Sequence, residues 1–172
     1  MPVISKFGPI TLLVAGSIAL SACASKAPKQ LPPDPGASTS TDSGQSTLGP
    51  TPGSQADFVA FTQGADTIYF DTDRYNIDSA DAAALQTQVQ WLQRYPQKRA
   101  TIEGHADERG TRDYNLALGE RRANATKNYL VGLGIDPGRL TTISYGKERP
   151  VALGSNEESW SRNRRAVTIT ID

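Results

Sequence analysis

The feature that most restricts how this chain can fold is a strand, a polar loop and a long helix in direct succession between residues 99 and 133. Residues 99–104 alternate between polar and apolar side chains, and residues 105–110 are dense in ionisable groups. The helical pattern that follows runs to Leu133, where Gly134 ends it. A loop between a strand end and a helix start holds its side chains on a rigid frame. We therefore expect the functional groups in this loop and on the helix that follows it.

Strand and helix patterns flank this unit on both sides. A helix is predicted from a cap at Asp78 or Ser79 to about Tyr95, just before a proline. The other predicted elements are strands at 67–70, 140–145 and 166–171 and a short helix at 157–162. The order β-α-β-α-β-(α)-β predicts an α+β domain over residues 58–172, with helices packed on one face of a small mixed four-stranded sheet.

The N-terminus has the layout of a secretory signal peptide. Lys6 supplies a positive charge before an apolar run over residues 7–20, and small residues follow up to Ala22. The run is interrupted by glycine and proline and is shorter than the roughly 20 residues of a membrane span. We therefore predict a signal peptide over residues 1–22, directly before Cys23.

Between the signal peptide and the domain lies a stretch rich in Pro, Gly, Ser and Thr. Residues 24–57 contain hardly any bulky apolar side chain, so they cannot bury enough surface to offset the entropy of ordering. Fully extended, such a stretch would span roughly 110 Å. Residues 23–57 are therefore predicted to be a disordered tether that begins at the cysteine.

Charge and composition exclude several classes of function. Lysine plus arginine and aspartate plus glutamate number 18 each, and this balance argues against a general nucleic-acid-binding protein. His105 is the single histidine, so a multi-histidine metal site is excluded, and we expect neither a metal nor another cofactor. Cys23 is the single cysteine, which excludes an intramolecular disulfide.

The loop and the long helix bring together groups that suit a zwitterionic ligand. Asn115, Leu118 and Arg122 lie three and four residues apart and share one helix face. That face turns toward the loop that carries Asp107. A carboxylate can bind an ammonium group, and a guanidinium can bind a carboxylate through two hydrogen bonds. On residue types alone, a structural salt bridge between Asp107 and Arg122 is the favoured interpretation, and the ligand site is the alternative.

Two other groups in the chain have both a functional and a structural interpretation. His105, beside Asp107 and Glu108, could serve catalysis, but no serine or cysteine nucleophile motif surrounds it, and a structural role fits better. The basic cluster at residues 162–165 is too short for a nucleic-acid patch, and we expect it to cover the sheet end and pair with carboxylates such as Glu103.

Four blocks of sequence resemble the OmpA-like peptidoglycan-binding domain. They are GHADERGT at 104–111, YNLALGERRA at 114–123, SYGKERP at 144–150 and NRR at 163–165. The resemblance covers about residues 58–172, and one departure is Ala106, where the family often has threonine. With its N-terminal segments, the whole chain is similar to the lipoproteins of this family that belong to the Tol-Pal system.

The resemblance implies a ligand and a set of binding residues. The domain would bind the peptide stem of peptidoglycan non-covalently and recognise its diaminopimelate residue. Asp107 would bind the ammonium group and Arg122 the carboxylate. The resemblance assigns the remaining contacts to two residues of the loop after the first strand, two residues of the helix and one residue at the rim, which are Thr72, Asp73, Asn115, Leu118 and Arg109.

The resemblance also implies a location and partners. Residues 20–23 look like a bacterial lipobox, in which Cys23 is lipidated, and Ala24 favours the outer membrane with the domain facing the periplasm. The family binds periplasmic TolB and contacts inner-membrane Tol proteins, which support envelope integrity and cell division. We expect a structural and binding protein that is not an enzyme. The alternatives are a peptidoglycan hydrolase that uses His105, or an OmpA-like lipoprotein of a motor or secretion system.

Overall fold

The computed structural model describes residues 49–171, so the predicted signal peptide, Cys23 and the first part of the predicted tether lie outside the described residues. The elements, in chain order, are α1 (Gln55–Thr62), β1 (Thr67–Tyr69), α2 (Ser79–Arg94), β2 (Arg99–His105), α3 (Arg112–Gly132), a 3-10 turn (Pro137–Arg139), β3 (Leu140–Gly146), α4 (Glu157–Asn163) and β4 (Arg165–Ile171).

The strands form one mixed sheet in the order β1-β4-β2-β3. β4 is antiparallel to both of its neighbours, whereas β2 and β3 are parallel. Parallel neighbours need a crossover, and α3 provides it. The predicted α+β class and the mixed four-stranded sheet are therefore confirmed, and every predicted strand and helix is present within two residues of its expected ends.

The core lies between one face of this sheet and the helices. Ala100 and Ile102 of β2 are buried on that face, as their alternation with polar neighbours predicts, and Ala166 of β4 is buried beside them. The large side chains that are fully buried against them come mainly from α1, α2 and α3, and they include Phe58, Leu85, Trp91, Leu92 and Leu130. The loops at the ends of these strands and helices are thus held by a packed core.

The ordered fold begins earlier than predicted. The structure has a helix from Gln55, before the predicted start at Phe58, and the Ser54 side chain accepts a hydrogen bond from the Asp57 amide at its N-terminus. The Asp57 carboxylate also accepts a hydrogen bond from the Trp91 indole nitrogen over 2.9 Å. The end of the predicted tether at residue 57 therefore needs correction. The sequence interpretation missed the capping serine because the average composition of the stretch around it is that of a linker.

Helix α3 touches the sheet through two glycines. A side-chain carbon at Gly104 would collide with the carbonyl of Gly119, and one at Gly119 would collide with Ser144 Oγ and the Gly104 carbonyl. This approach brings the first two turns of α3 directly over the end of β2. The side chains of the helix and of the loop before it can therefore reach one pocket.

Among residues 49–171, no helix is both long and apolar enough to cross a membrane.

Candidate functional site

A pocket of about 250 Å³ opens between the turn after β1, the loop between β2 and α3, and the start of α3. The side chains that line it are Thr72, Asp73, Asp107, Arg109, Gly110, Tyr114, Asn115, Leu118, Arg122 and Arg164. The structure thus brings all seven residues that were expected to bind ligand to the same cavity. Gly110, Tyr114 and Arg164 line it as well, although the sequence interpretation did not include them.

Asp107 is the central anion of the pocket. Its side chain is buried, and its Oδ1 accepts hydrogen bonds from the backbone N and the Nε of Arg109, each over 3.1 Å. Its Oδ2 accepts from Arg109 Nη2 over 2.6 Å and from Arg164 Nη1 over 3.5 Å. Burial alone would raise the pKa of Asp107, but the hydrogen bonds from Arg109 outweigh it and hold the pKa below its ordinary value. Asp107 is therefore a carboxylate at neutral pH.

Arg122 is completely buried and binds three backbone carbonyls. Its Nε donates to Arg74 O over 2.9 Å and its Nη2 to Asp71 O over 3.0 Å, so it joins the two ends of the turn after β1. Its Nη1 donates to His105 O over 2.7 Å, at the end of β2. Burial, followed by the charge of Arg164, lowers the pKa of Arg122 to about 10, which leaves it charged at neutral pH.

These contacts decide between the two interpretations of Asp107 and Arg122. Asp107 pairs with Arg109 and Arg164, and Arg122 bonds to carbonyls, so a structural salt bridge between Asp107 and Arg122 is not what holds them. Arg122 instead fixes the two loops that form the walls of the pocket. A guanidinium has five N–H groups, so these three bonds do not use all of those of Arg122.

The turn after β1 forms one wall. Asp73 has a φ of 55°, a left-handed conformation that is uncommon outside glycine, and its Oδ1 accepts a hydrogen bond from the Tyr114 hydroxyl over 3.1 Å. Thr72 Oγ1 accepts from Arg109 Nη2 over 3.2 Å. Arg109 therefore spans the mouth of the pocket from Asp107 to Thr72.

The opposite wall comes from α3. Leu118 is 3% exposed and offers the pocket an apolar surface. Asn115 is also buried, and its Nδ2 donates to Arg109 O over 2.7 Å, which fixes the loop before the helix. Asn115 thus shapes the pocket through the backbone of Arg109.

Trp160 of α4 supports the rim beside this wall. The Arg109 guanidinium lies 4.2 Å from the Trp160 ring centre, and the Trp160 indole nitrogen donates to Glu108 over 3.0 Å. The cation lies over the face of the ring, where a guanidinium is attracted by the ring electrons. Trp160 is thus a rim residue, whereas Trp91 belongs to the core.

Arg164 pairs with carboxylates, as expected of its basic cluster, but its partners are Asp107 and Glu157 and not Glu103. It is 5% exposed, donates from Nε to Phe70 O over 2.9 Å and from Nη2 to Glu157 over 2.6 Å, and contacts Asp107. Its place follows from the position of β4 between β1 and β2, which a local pattern does not reveal.

His105 lies outside this pocket and is electrically neutral. Its ring is 1% exposed, stacks on Tyr145 with ring centres 5.6 Å apart, and its nitrogens have no hydrogen-bond partner among residues 49–171. Burial, then the charges of Arg165 and Arg149, lowers the pKa of His105 to about 3. A ring enclosed in this way cannot take a proton from a substrate in the pocket, which disfavours the catalytic interpretation.

No group of three or more His, Cys, Asp or Glu side chains within residues 49–171 is arranged to hold a metal ion.

Comparison with known proteins adds an independent line of evidence. Residues 69–164, more than half of the chain, match the OmpA family. The chain is 50% identical over 161 residues to a peptidoglycan-associated lipoprotein of Rhizobium meliloti (strain 1021), with 94% of this chain and 86% of that relative covered.

Solved structures show the same fold. The crystal structure of the peptidoglycan-associated lipoprotein from Burkholderia pseudomallei matches with a TM-score of 0.60 and 45% identity, over 61% of this chain and 89% of that one. The C-terminal domain of Helicobacter pylori MotB shares the fold, with a TM-score of 0.58 at 19% identity over 62% and 84% of the two chains. Fold, pocket and sequence agree, and the chain belongs to the OmpA family.

Proposed function

We propose that this chain links the outer membrane to the cell wall by binding the peptide stem of peptidoglycan without covalent bonds. The observation that carries the proposal is the convergence of the Asp107 carboxylate and the Arg122 and Arg164 guanidinium groups on one pocket of about 250 Å³. Relatives at 50% identity are named peptidoglycan-associated lipoproteins, which supports the same ligand.

The charge arrangement suits the side chain of diaminopimelate, which carries an ammonium and a carboxylate on the same carbon. The ammonium group would bind Asp107 in place of the Arg109 side chain, which is 39% exposed. The carboxylate would accept hydrogen bonds from the remaining N–H groups of Arg122. Leu118 would contact the methylene chain of the ligand, and Thr72 and Asp73 would contact it from the facing wall.

Desolvation makes such a site selective. An exposed ion pair contributes only about 0–1 kcal/mol, but removing one partner of a buried pair costs about 2–5 kcal/mol. Asp107 and Arg122 are both buried, so each charge of the ligand is recognised by a group that has little access to water. A ligand with only one of the two charges would make only one of these two contacts.

The N-terminal segments supply the other half of the link. Lipidation of Cys23 would anchor the chain in the outer membrane, and the Pro, Gly, Ser and Thr-rich residues after it would let the domain reach the wall. As a family member of this kind, the chain would also bind TolB and contact other Tol proteins. Co-purification of TolB with the chain from intact cells tests this part, and a motor or secretion protein in its place would favour the alternative partner.

The enzyme alternative is a peptidoglycan hydrolase that uses His105. The neutral, enclosed ring of His105 gives this alternative no proton acceptor in the pocket. We therefore propose a binding protein that is not an enzyme.

The decisive experiment is sedimentation of the purified, detergent-solubilised protein with insoluble cell walls of two kinds. Walls with diaminopimelate should pellet the protein, and walls with lysine at the same position should not, because lysine lacks the distal carboxylate. Asp107→Asn should stay in the supernatant with both walls, whereas Glu120→Gln, on an exposed part of α3, should pellet like the wild type. Equal pelleting with both walls would contradict recognition of diaminopimelate, and soluble products released from the walls would revive the hydrolase.

A further inference from the structure

Two exposed tyrosines stand beside the pocket. Tyr114 is 45% exposed and Tyr75 is 49% exposed. Each ring is nevertheless held by a polar contact, because the Tyr114 hydroxyl donates to Asp73 and the Arg121 guanidinium lies 5.9 Å from the centre of the Tyr75 ring. A ring that is fixed but uncovered has already lost conformational freedom, so a ligand that packs on it meets a lower entropic cost.

Tyr114 lines the pocket itself, whereas Tyr75 lines a second hollow next to it. This hollow has a volume of about 390 Å³ and is lined by Asp73, Arg74, Tyr75 and Asn76. Asp73 lines both this hollow and the pocket, so the two cavities meet at one residue. Its left-handed backbone, with a φ of 55°, is the kind of local strain that accumulates at ligand sites.

The geometry of α3 helps to position the two rings. Tyr114 and Arg121 are seven residues apart, which puts them on the same helix face and about 10 Å apart along the helix axis. The Arg121 guanidinium lies 5.9 Å from the Tyr75 ring centre, so both rings lie beside α3. We call Tyr75, Tyr114 and the polar side chains between them, Asp73 and Asn76, the aromatic shelf.

We propose that the aromatic shelf binds the amino-sugar part of the peptidoglycan strand whose peptide fills the pocket, an inference that rests on the function proposed above. A sugar ring has an apolar face of C–H groups and an edge of hydroxyl and acetamide groups. Tyrosine rings pack well against the face, and a few placed polar groups satisfy the edge. Asp73 and Asn76 supply acceptors and Arg74 supplies donors at this hollow.

The covalent structure of the ligand supports this placement. The peptide stem is joined to the sugar at one end, so a stem held in the pocket leaves its sugar close to the rim. The shelf adjoins the rim at Asp73 and extends along α3, which gives a short saccharide a surface of matching chemistry. The pocket would then recognise the peptide and the shelf would add affinity for the glycan.

The test compares two soluble ligands by calorimetric titration of the purified protein. One is a muropeptide that keeps its disaccharide, and the other is the same peptide with the disaccharide removed by an amidase. The wild type should bind the complete muropeptide roughly 2- to 10-fold more tightly than the bare peptide, the range expected for one or two aromatic contacts. Tyr75→Ala should abolish this ratio without changing the affinity for the bare peptide, and Tyr75→Trp should keep it.

Tyr69 provides the matched control, because it is 51% exposed but lies on β1 and lines neither cavity. Tyr69→Ala should retain the wild-type ratio. A wild-type ratio of one, with the bare peptide still bound, would overturn the aromatic shelf and leave the proposed function intact. Loss of the ratio in Tyr69→Ala but not in Tyr75→Ala would also overturn it. Failure of the wild type to bind either ligand would overturn the proposed function itself, and the shelf with it.

Discussion

The guanidinium of Arg109 binds the carboxylate of Asp107 at two points, with Nε 3.1 Å from Oδ1 and Nη2 2.6 Å from Oδ2. A cation of the chain itself therefore occupies the carboxylate that we assign to the ligand ammonium. Asp107 stays ionised because of this contact, since its burial acts in the opposite direction.

Removal of this cation should raise the pKa of Asp107. Arg109→Gln removes the charge of residue 109, while the hydrogen bond from its backbone and the contact with Arg164 remain, so the pKa of Asp107 should rise from its lowered value. A pH titration of the Asp107 carboxyl carbon by NMR measures the change. Arg112→Gln is the control, because Arg112 pairs with Glu148 instead, and it should leave the pKa of Asp107 low. An unchanged pKa in Arg109→Gln would show that Arg164 is the main source of the shift.

Replacement of Arg122 should reduce stability as well as binding. Arg122→Ala leaves the carbonyls of Asp71, Arg74 and His105 without their donor, and each such group costs about 1–3 kcal/mol, so the free energy of unfolding should fall by at least about 3 kcal/mol. Urea denaturation measures the loss. Arg121→Ala, one position earlier and exposed, should change stability by less than about 0.5 kcal/mol. A stable Arg122→Ala that has lost only wall binding would instead assign Arg122 purely to the ligand.

The contact between α3 and β2 should tolerate no side chain. Gly104→Ala places a carbon against the Gly119 carbonyl, so the helix must move away from the sheet, at a cost of about 1–3 kcal/mol or more. Thermal unfolding should show a large loss of stability, with weaker wall binding in whatever remains folded. Gly132→Ala, in the same helix but with open space around it, should be stabilising by up to about 1 kcal/mol. Equal stability of the two variants would contradict the close approach.

The residues that sequence patterns predicted correctly are those whose partners are near in the chain. The α3 face of Asn115, Leu118 and Arg122 follows from helix periodicity, and the Asp78 cap follows from a local motif. The same reasoning missed α1, because its capping serine follows a glycine- and proline-rich stretch whose composition outweighed it.

The contacts that local sequence patterns could not predict join residues far apart in the chain. Arg122 binds carbonyls 48 and 51 residues earlier in the chain, and Arg164 reaches Asp107 across 57 residues. These contacts depend on where β4 sits in the sheet, which is decided by the packing of the whole domain. The family resemblance named the ligand residues, but the role of Arg122 as a clamp on two loops emerges only from the assembled fold.

His105 should make the domain sensitive to mild acid. Its pKa is about 3 in the folded protein, with Arg165 and Arg149 adding to the effect of burial, although Glu103 Oε2 lies 3.6 Å from Nε2. In the unfolded chain the pKa is near 6.5, so below that pH the unfolded state gains a proton that the folded state does not take. Stability is therefore complete above pH 6.5 and falls as the pH decreases toward 3, by about 2 kcal/mol between pH 7 and pH 5.

His105→Phe isolates this contribution. Phenylalanine can still stack on Tyr145, and the ring nitrogens that it removes have no hydrogen bond to lose among residues 49–171. Carboxylates titrate alike in both proteins, so the difference between their pH dependences reports on His105 alone. Urea denaturation at pH 7 and at pH 5 gives the free energy of unfolding of each protein. The loss between the two pH values should be smaller in His105→Phe than in the wild type, by about 2 kcal/mol. Parallel pH dependences would mean that His105 gains its proton in the folded protein, and that Glu103 outweighs both burial and the two arginines.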